Sequence, residues 1–292
     1  MANGYRKILV AYDGSKSAQN ALSLASQLAR ENKSWIKVVA VVPTYAGDIE
    51  LTGISNVKET MAGPGRKLLA EAQSIADREK VLILTDLEQG EPDERIVHVA
   101  EEENCDLIVV GRKGRNPVER ELVGAVTTKV IGHTDKDVLV VTDGSTSINW
   151  ERILLVTDGS QFSEAAVAKA INLARERSAK LFGAMAVYTN DEFMALAPDT
   201  VNQLILEAQK ILSGIADQAA TSGVTIETLV REGEPHTAIV TIATQIGADV
   251  IVMGAHGRKG LNRLLMGGVT ERVIGFAPCP ILITHLPAVP QQ

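Results

Sequence analysis

Short runs of Val, Ile and Leu alternate along the chain with longer stretches in which apolar residues recur at helical spacing. Alternation of this kind predicts crossover units feeding a parallel sheet. Ten strands are expected: 7–12, 36–42, 81–87, 106–111 and 137–141, then 152–157, 181–187, 225–230, 249–253 and 280–284. Most are apolar throughout, as strands covered by helices on both faces should be. Between them, "FSEAAVAKAINLARE" puts Ala166, Ala170, Ile171 and Ala174 on one stripe, with Ser163 as the expected N-cap, and "SAQNALSLASQLARE" has the same design. Glu91-Pro92 and Glu234-Pro235 should each open a helix, since proline suits a first turn whose N–H has no partner and acid suits its positive end.

The pattern is written twice. "KILVAYDGS" at 7–15 recurs as "RILLVTDGS" at 152–160, and Gly90-Glu91-Pro92 and Asp106 recur as Gly233-Glu234-Pro235 and Asp249. A period of this length suffices for an independent core, so the copies read as domains over 1–145 and 150–292, joined through "TDGSTSINW". The segments at 43–67 and 188–203, between second strand and second helix, differ between the copies and read as lids, partner surfaces or plain surface loops.

Charge narrows the partners. The net charge is −7, with 18 basic against 22 acidic residues up to position 147 and 11 against 14 beyond it. Neither half suits a nucleic-acid backbone. No apolar run approaches the length of a membrane helix, so neither membrane nor nucleic acid is an expected partner, and the cytoplasm is the expected location. Cys105 and Cys279 occupy different places in their copies and form no disulfide framework. The histidines at 98, 133, 236, 256 and 285 show no metal-ligand spacing, and no nucleophile-base constellation is legible, so no metal site and no enzyme are expected. Slow hydrolysis of a phosphate bound near His256 or Asp158 is the residual enzymatic reading.

Candidate chemistry gathers at the carboxyl ends of strands, where an open parallel sheet binds its ligands. Asp13 and Asp158 end the first strand of each copy, though Asp before Gly-Ser is also a sound turn. The fourth strands run into Gly111, Gly114 and Gly124 and into Gly254, Gly257 and Gly267. Such loops offer backbone N–H groups and a helix start to an anion. The second loop carries Arg258, Lys259 and Arg263 without an acid, whereas the first mixes Arg115 and Arg120 with Pro117, Glu119 and Glu121, so the better anion site is expected in the second half. Neither GxxxxGK[ST] nor GxGxxG stands in the nucleotide-binding position, and the first strands lack an SGGxDS motif.

These features together, two copies of "DGS" after the first strand, "GEP" before the third helix and the glycine spacing after "DLIVVG" and "DVIVMG", resemble the universal stress protein family in a tandem of two domains. The resemblance covers nearly the whole chain. It implies two open parallel five-stranded sheets of order 3-2-1-4-5 with helices on both faces, and ATP or AMP, with or without Mg, as ligand. Carried over by position, the second-half site would be Asp158, Ala186 or Val187, Met253, Gly254, His256, Gly257, Arg258, Gly267, Gly268 and Val269. The weaker first-half set would be Asp13, Val41, Gly111, Gly114, Gly124 and Ala125. Gly268 and Ala125 stand where the family pattern has Ser or Thr, a lost hydroxyl worth about 1.5 to 3 kcal/mol to a charged phosphate. The fifth strands, "DVLVV" and "CPILIT", resemble the edge through which such domains pair, implying self-association within the chain and a possible homodimer. The implied role is a nucleotide sensor in stress response acting on a protein partner; the alternative is a scaffold or interaction module of the same fold that binds no nucleotide.

Overall fold

The structure is a computed structural model and describes residues 4–42, 57–113, 123–256 and 266–285, without the side chains of 57–61. The chain forms two compact units, Met1–Ser147 and Ile148–Gln292.

In the first unit the elements run β1 (Lys7–Ala11), α1 (Lys16–Asn32), β2 (Trp35–Val42), α2 (Val57–Glu79), β3 (Ile83–Gln89), α3 (Pro92–Glu102), β4 (Leu107–Gly111), α4 (Ala125–His133) and β5 (Asp137–Val141). Its strands are parallel in the order β3-β2-β1-β4-β5, with Lys7 opposite Trp35 and Ile8 opposite Leu107. Helices α1 and α2 pack together, as do α3 and α4, each pair also packing on the sheet. Ile8, Leu9, Leu107, Ile108 and Leu139 are fully buried, which is why these strands read as unbroken apolar runs. Edge strand β3 has no buried residue, and Leu82 just before it and Leu84 within it are exposed.

The second unit repeats the plan as β6 (Arg152–Val156), α5 (Glu164–Arg177), β7 (Lys180–Val187), α6 (Asp191–Leu196), α7 (Pro198–Thr221), β8 (Ile226–Glu232), α8 (Pro235–Ile246), β9 (Val250–Gly254), α9 (Gly268–Phe276) and β10 (Ile281–Thr284). Its parallel order is β8-β7-β6-β9-β10. The order expected from the family resemblance therefore holds in each unit, and it makes the first and fourth strands neighbours.

Local chemistry explains the helix starts. Ser15 Oγ accepts the Ala18 N–H at 3.1 Å and caps α1. Ser163 holds the equivalent position before α5 but does not cap it. A 3-10 turn over Gln161–Ser163 intervenes, and the Ser163 hydroxyl bonds Ser160 O and Thr157 Oγ1, both at 2.8 Å. Glu91 and Glu234 are extended N-cap residues with proline following, as expected for α3 and α8. The divergent segments are more helical than a loop reading predicts: α2 has begun by Val57, and α6 and α7 occupy most of 188–203. Residues 43–56 lie outside the described residues.

Candidate functional site

In each unit a tight turn leaves the first strand, leading to α1 in the first and towards α5 in the second. Asp13 Oδ1 accepts the Ser15 N–H at 2.9 Å around Gly14, whose φ of 78° is left-handed. Asp158 Oδ1 accepts both the Ser160 N–H at 3.0 Å and the Ser160 hydroxyl at 2.7 Å around Gly159 at φ 73°. Both aspartates thus hold turns, and that bond also fixes each carboxylate at the carboxyl end of its sheet.

The fourth strand is fastened to the next helix start by the same bonds in each unit. In the first, Gly124 N–H donates to Arg112 O at 2.9 Å, and Thr127 Oγ1 donates to Gly111 O at 2.8 Å. In the second, Gly267 N–H donates to Ala255 O at 3.1 Å and Thr270 Oγ1 to Gly254 O at 3.3 Å. No side chain caps the first turn of α4 or α9 among the described residues. The leading amides of both helices are therefore presented at the switch point between first and fourth strands.

The glycines divide by role. A Cβ on Gly111 would collide with the Ser17 side chain, and one on Gly254 would lie 2.7 Å from Phe162 O. Both let the end of the fourth strand approach the segment that follows the first strand, independently of any ligand. A Cβ on Gly268 would meet nothing within 4 Å.

A cavity of about 360 Å³ opens at this point in the first unit, and Asp13, Val41, Gly111, Gly124 and Ala125 all line it. The first-half set, expected to be the weaker, is thus brought together around a formed space of small-molecule size. Gly114 lies outside the described residues. The cavity adds residues that the motif comparison missed, notably Lys113, Thr127, Pro92 and Ile96. Thr127 was detectable, because Thr270 repeats it at the same distance after the last loop glycine. Lys113 has no counterpart cation, since His256 occupies its place in the second unit.

In the second unit, Asp158 follows β6, Ala186 and Val187 end β7, and Met253 and Gly254 end β9. Tyr12 N–H bonds Val39 O and Thr157 N–H bonds Ala184 O, so Val41 corresponds to Ala186. That register selects Ala186 over Val187, whose side chain, like that of Met253, is buried. His256 and Gly267 are adjacent, with the Cβ position of Gly267 3.8 Å from the His256 Cα. The His256 Nε2 is buried without a hydrogen-bond partner among the described residues. Val269 is half-exposed on the first turn of α9. Gly257 and Arg258 lie outside the described residues.

Neither cysteine belongs to the site. Cys105 and Cys279 precede β4 and β10, at the opposite end of the strands from the site, and burial pushes their thiols up to about 11 and about 12. Among the described residues no group of His, Cys, Asp and Glu is arranged to hold a metal ion, and no helix is long and apolar enough to cross a membrane.

Comparison with known proteins agrees with the repeat. The sequence model of the universal stress protein family matches residues 4–142 and again 149–285. A universal stress protein of Methanocaldococcus jannaschii is 39% identical over 145 residues, covering 47% of this chain and 84% of that protein. One from Bacillus subtilis is 32% identical over 147 residues, 47% of this chain and 99% of its own length. The crystal structure of a universal stress protein from Archaeoglobus fulgidus superposes with a TM-score of 0.72 at 19% identity, covering 96% of this chain and 98% of that one. With the family pattern matched in both units, the chain belongs to the universal stress protein family, with two such domains in tandem.

Proposed function

We propose that the chain is a nucleotide-binding regulatory module of the stress response, with ATP or AMP bound at the carboxyl end of the sheet. The observation that carries this reading is the first-unit cavity, which gathers Asp13, Val41, Gly111, Gly124 and Ala125 on one wall system. Asp13 offers a carboxylate to the hydroxyls or amino group of a nucleoside, Val41 an apolar face to its base, and the uncapped start of α4 an anion site. In the second unit Asp158, Ala186, Gly267 and Gly268 supply the equivalent elements, and the basic residues Arg258, Lys259 and Arg263 favour phosphate by charge. The module works by binding and not by turnover; the nucleotide biases the helix start beside the fourth strand, and a protein partner reads that change. We place it in the cytoplasm, and self-association at the fifth-strand edges, each terminal in the order of its own unit, belongs to the same reading.

Equilibrium dialysis of the whole chain against ATP and against AMP tests it. Binding should be saturable, and Val41→Phe, which fills the cavity, should remove one site. Ala125→Ser and Gly268→Ser, which add a hydroxyl at each helix start, should tighten phosphate-bearing ligands about tenfold or more.

The second reading is a partner-binding module without nucleotide. It is favoured by the structural duties already found for Asp13, Asp158, Gly111 and Gly254, and by the absent hydroxyls at 125 and 268. No nucleotide retained at millimolar concentration, by the wild type or by either serine variant, decides for it.

A further inference from the structure

We propose that Ser17 is a positioning residue of the first-unit site: its hydroxyl holds the chain at Lys113 so that the Lys113 ammonium meets a ligand's phosphate beside the start of α4. This rests on the nucleotide reading of the same cavity and adds the device that orients the ligand.

Ser17 is the second residue of α1 and is 1% exposed. A hydroxyl that deep needs a partner. Ser26, also buried in α1, bonds back to Leu22 O within its own helix at 2.8 Å. Ser17 reaches instead to the end of the fourth strand, where its Oγ donates to Lys113 O at 2.5 Å. Gly111 makes the approach possible, because a Cβ there would collide with the Ser17 side chain. Ser15 Oγ lies 3.4 Å from Ser17 Oγ and accepts the Ala18 N–H, so the contact also ties Ser17 to the cap of α1.

The chain just before Lys113 is held from two other sides. Arg112 N–H donates to Val141 O at 2.8 Å, and its carbonyl accepts the Gly124 N–H at 2.9 Å. Lys113 is thereby carried beside the start of α4, and the Ser17 bond fixes how its peptide leaves that place. Lys113, Gly124, Ala125 and Thr127 line the same cavity. An ammonium among them adds a full charge to the uncapped amides of α4.

The first turn of α1 thus holds both charged residues of the cavity wall, Asp13 through the Ser15 N–H at 2.9 Å and Lys113 through the Ser17 hydroxyl. A carboxylate repels phosphate and an ammonium attracts it. Fixing both on one turn gives a nucleotide one orientation, nucleoside at Asp13 and phosphate at Lys113. In the second unit the two members change together, with Phe162 in the place of Ser17 and His256 in that of Lys113.

Methyl NMR on the intact chain reads this cavity through the Val41 and Ala125 signals. Adenosine and AMP are titrated into the wild type, Ser17→Ala, Lys113→Gln and the double variant. The wild type should bind AMP about tenfold more tightly than adenosine or better. Ser17→Ala should lower that AMP-to-adenosine ratio about fivefold and Lys113→Gln about tenfold. The double variant should fall no further than Lys113→Gln, since Ser17 acts through Lys113. Ser17→Cys, of similar shape and a weaker donor, should lower the ratio about twofold, and it carries the test if Ser17→Ala does not fold. AMP no tighter than adenosine in the wild type, an unchanged ratio in either single variant, an equal loss of both ligands, or additive losses in the double variant overturns the positioning role while nucleotide binding stands. No movement of either signal with either ligand in the wild type overturns the nucleotide reading of the cavity, and the positioning role with it.

Discussion

Gly254 and Gly268 lie close together in the second unit's loop region, yet they answer to different forces. A methyl group at position 254 would press on Phe162 O, so Gly254→Ala should lose about 1 to 3 kcal/mol in urea unfolding whether or not nucleotide is present. Gly268→Ala enters open space at the first position of α9 and should cost nothing, or gain up to about 1 kcal/mol from helix propensity and reduced chain entropy. The glycine spacing therefore mixed two signals that a sequence does not separate: close packing at the end of the fourth strand, and room at the start of the helix. Asp13 was legible from its place at the end of the first strand, and Val41 through the family resemblance. Lys113 was not, because nothing in a lone cation past a strand tells which way it faces. The thiols give a further residue-scale test. Their pKa values are raised by burial from the ordinary 9.0 to about 11 and about 12. Stability from their burial is complete below pH 9 and declines as pH rises from there towards 12, because only the unfolded chain ionises readily in that window. Tyr5, raised well above its ordinary value by burial and by Asp137, acts with the same sign. Thermal melting should therefore fall steadily from pH 9 to pH 11, and at pH 8 a disulfide reagent should modify Cys105 and Cys279 only as fast as the fold opens.

At the scale of elements, the repeat of Asp106 and Asp249 has a mechanical cause. Asp106 accepts the N–H groups of Arg6 and Lys7 at 2.8 and 3.0 Å, and Asp249 those of Glu151 and Arg152 at 3.0 and 2.8 Å. Each carboxylate thus ties the entry of the first strand to that of the fourth, at the end of the sheet opposite the cavity. Asp249→Ala should lose about 1 to 2 kcal/mol of stability, since the bonds are partly solvated, without a change in nucleotide affinity. Strand positions were legible almost throughout, because burial on both faces leaves an unbroken apolar run. Edge strand β3 was placed too early, since its covering on one side gives a mixed pattern in which exposed Leu82 looks like strand. The helix starts were harder: Ser163 has the right type for a cap, but its hydroxyl is drawn to Thr157 and Ser160. Likewise the segment 43–67 reads as a lid, partner surface or plain loop, yet α2 begins at Val57 and continues through Pro64.

For the whole molecule, each unit has its own five parallel strands and its own buried centre, around Leu9 and Ile108 in one and Leu154 and Val252 in the other. A fragment ending at Ser147 should keep a helical and strand circular dichroism spectrum and unfold cooperatively, as a domain of this size with a closed core does. An unfolded fragment would show that the two halves are not independent folding units. Duplication also frees the halves to diverge, and the linker charges after the fourth strands, zero in one and three positive in the other, are the clearest difference between them in sequence. That a nucleotide is held at all is the central claim, and a crystal structure of the intact chain grown with saturating AMP tests it most directly. The account predicts a nucleoside against Asp13 and Val41 with its phosphate at Lys113 and the start of α4; an empty first-unit cavity under those conditions would contradict it.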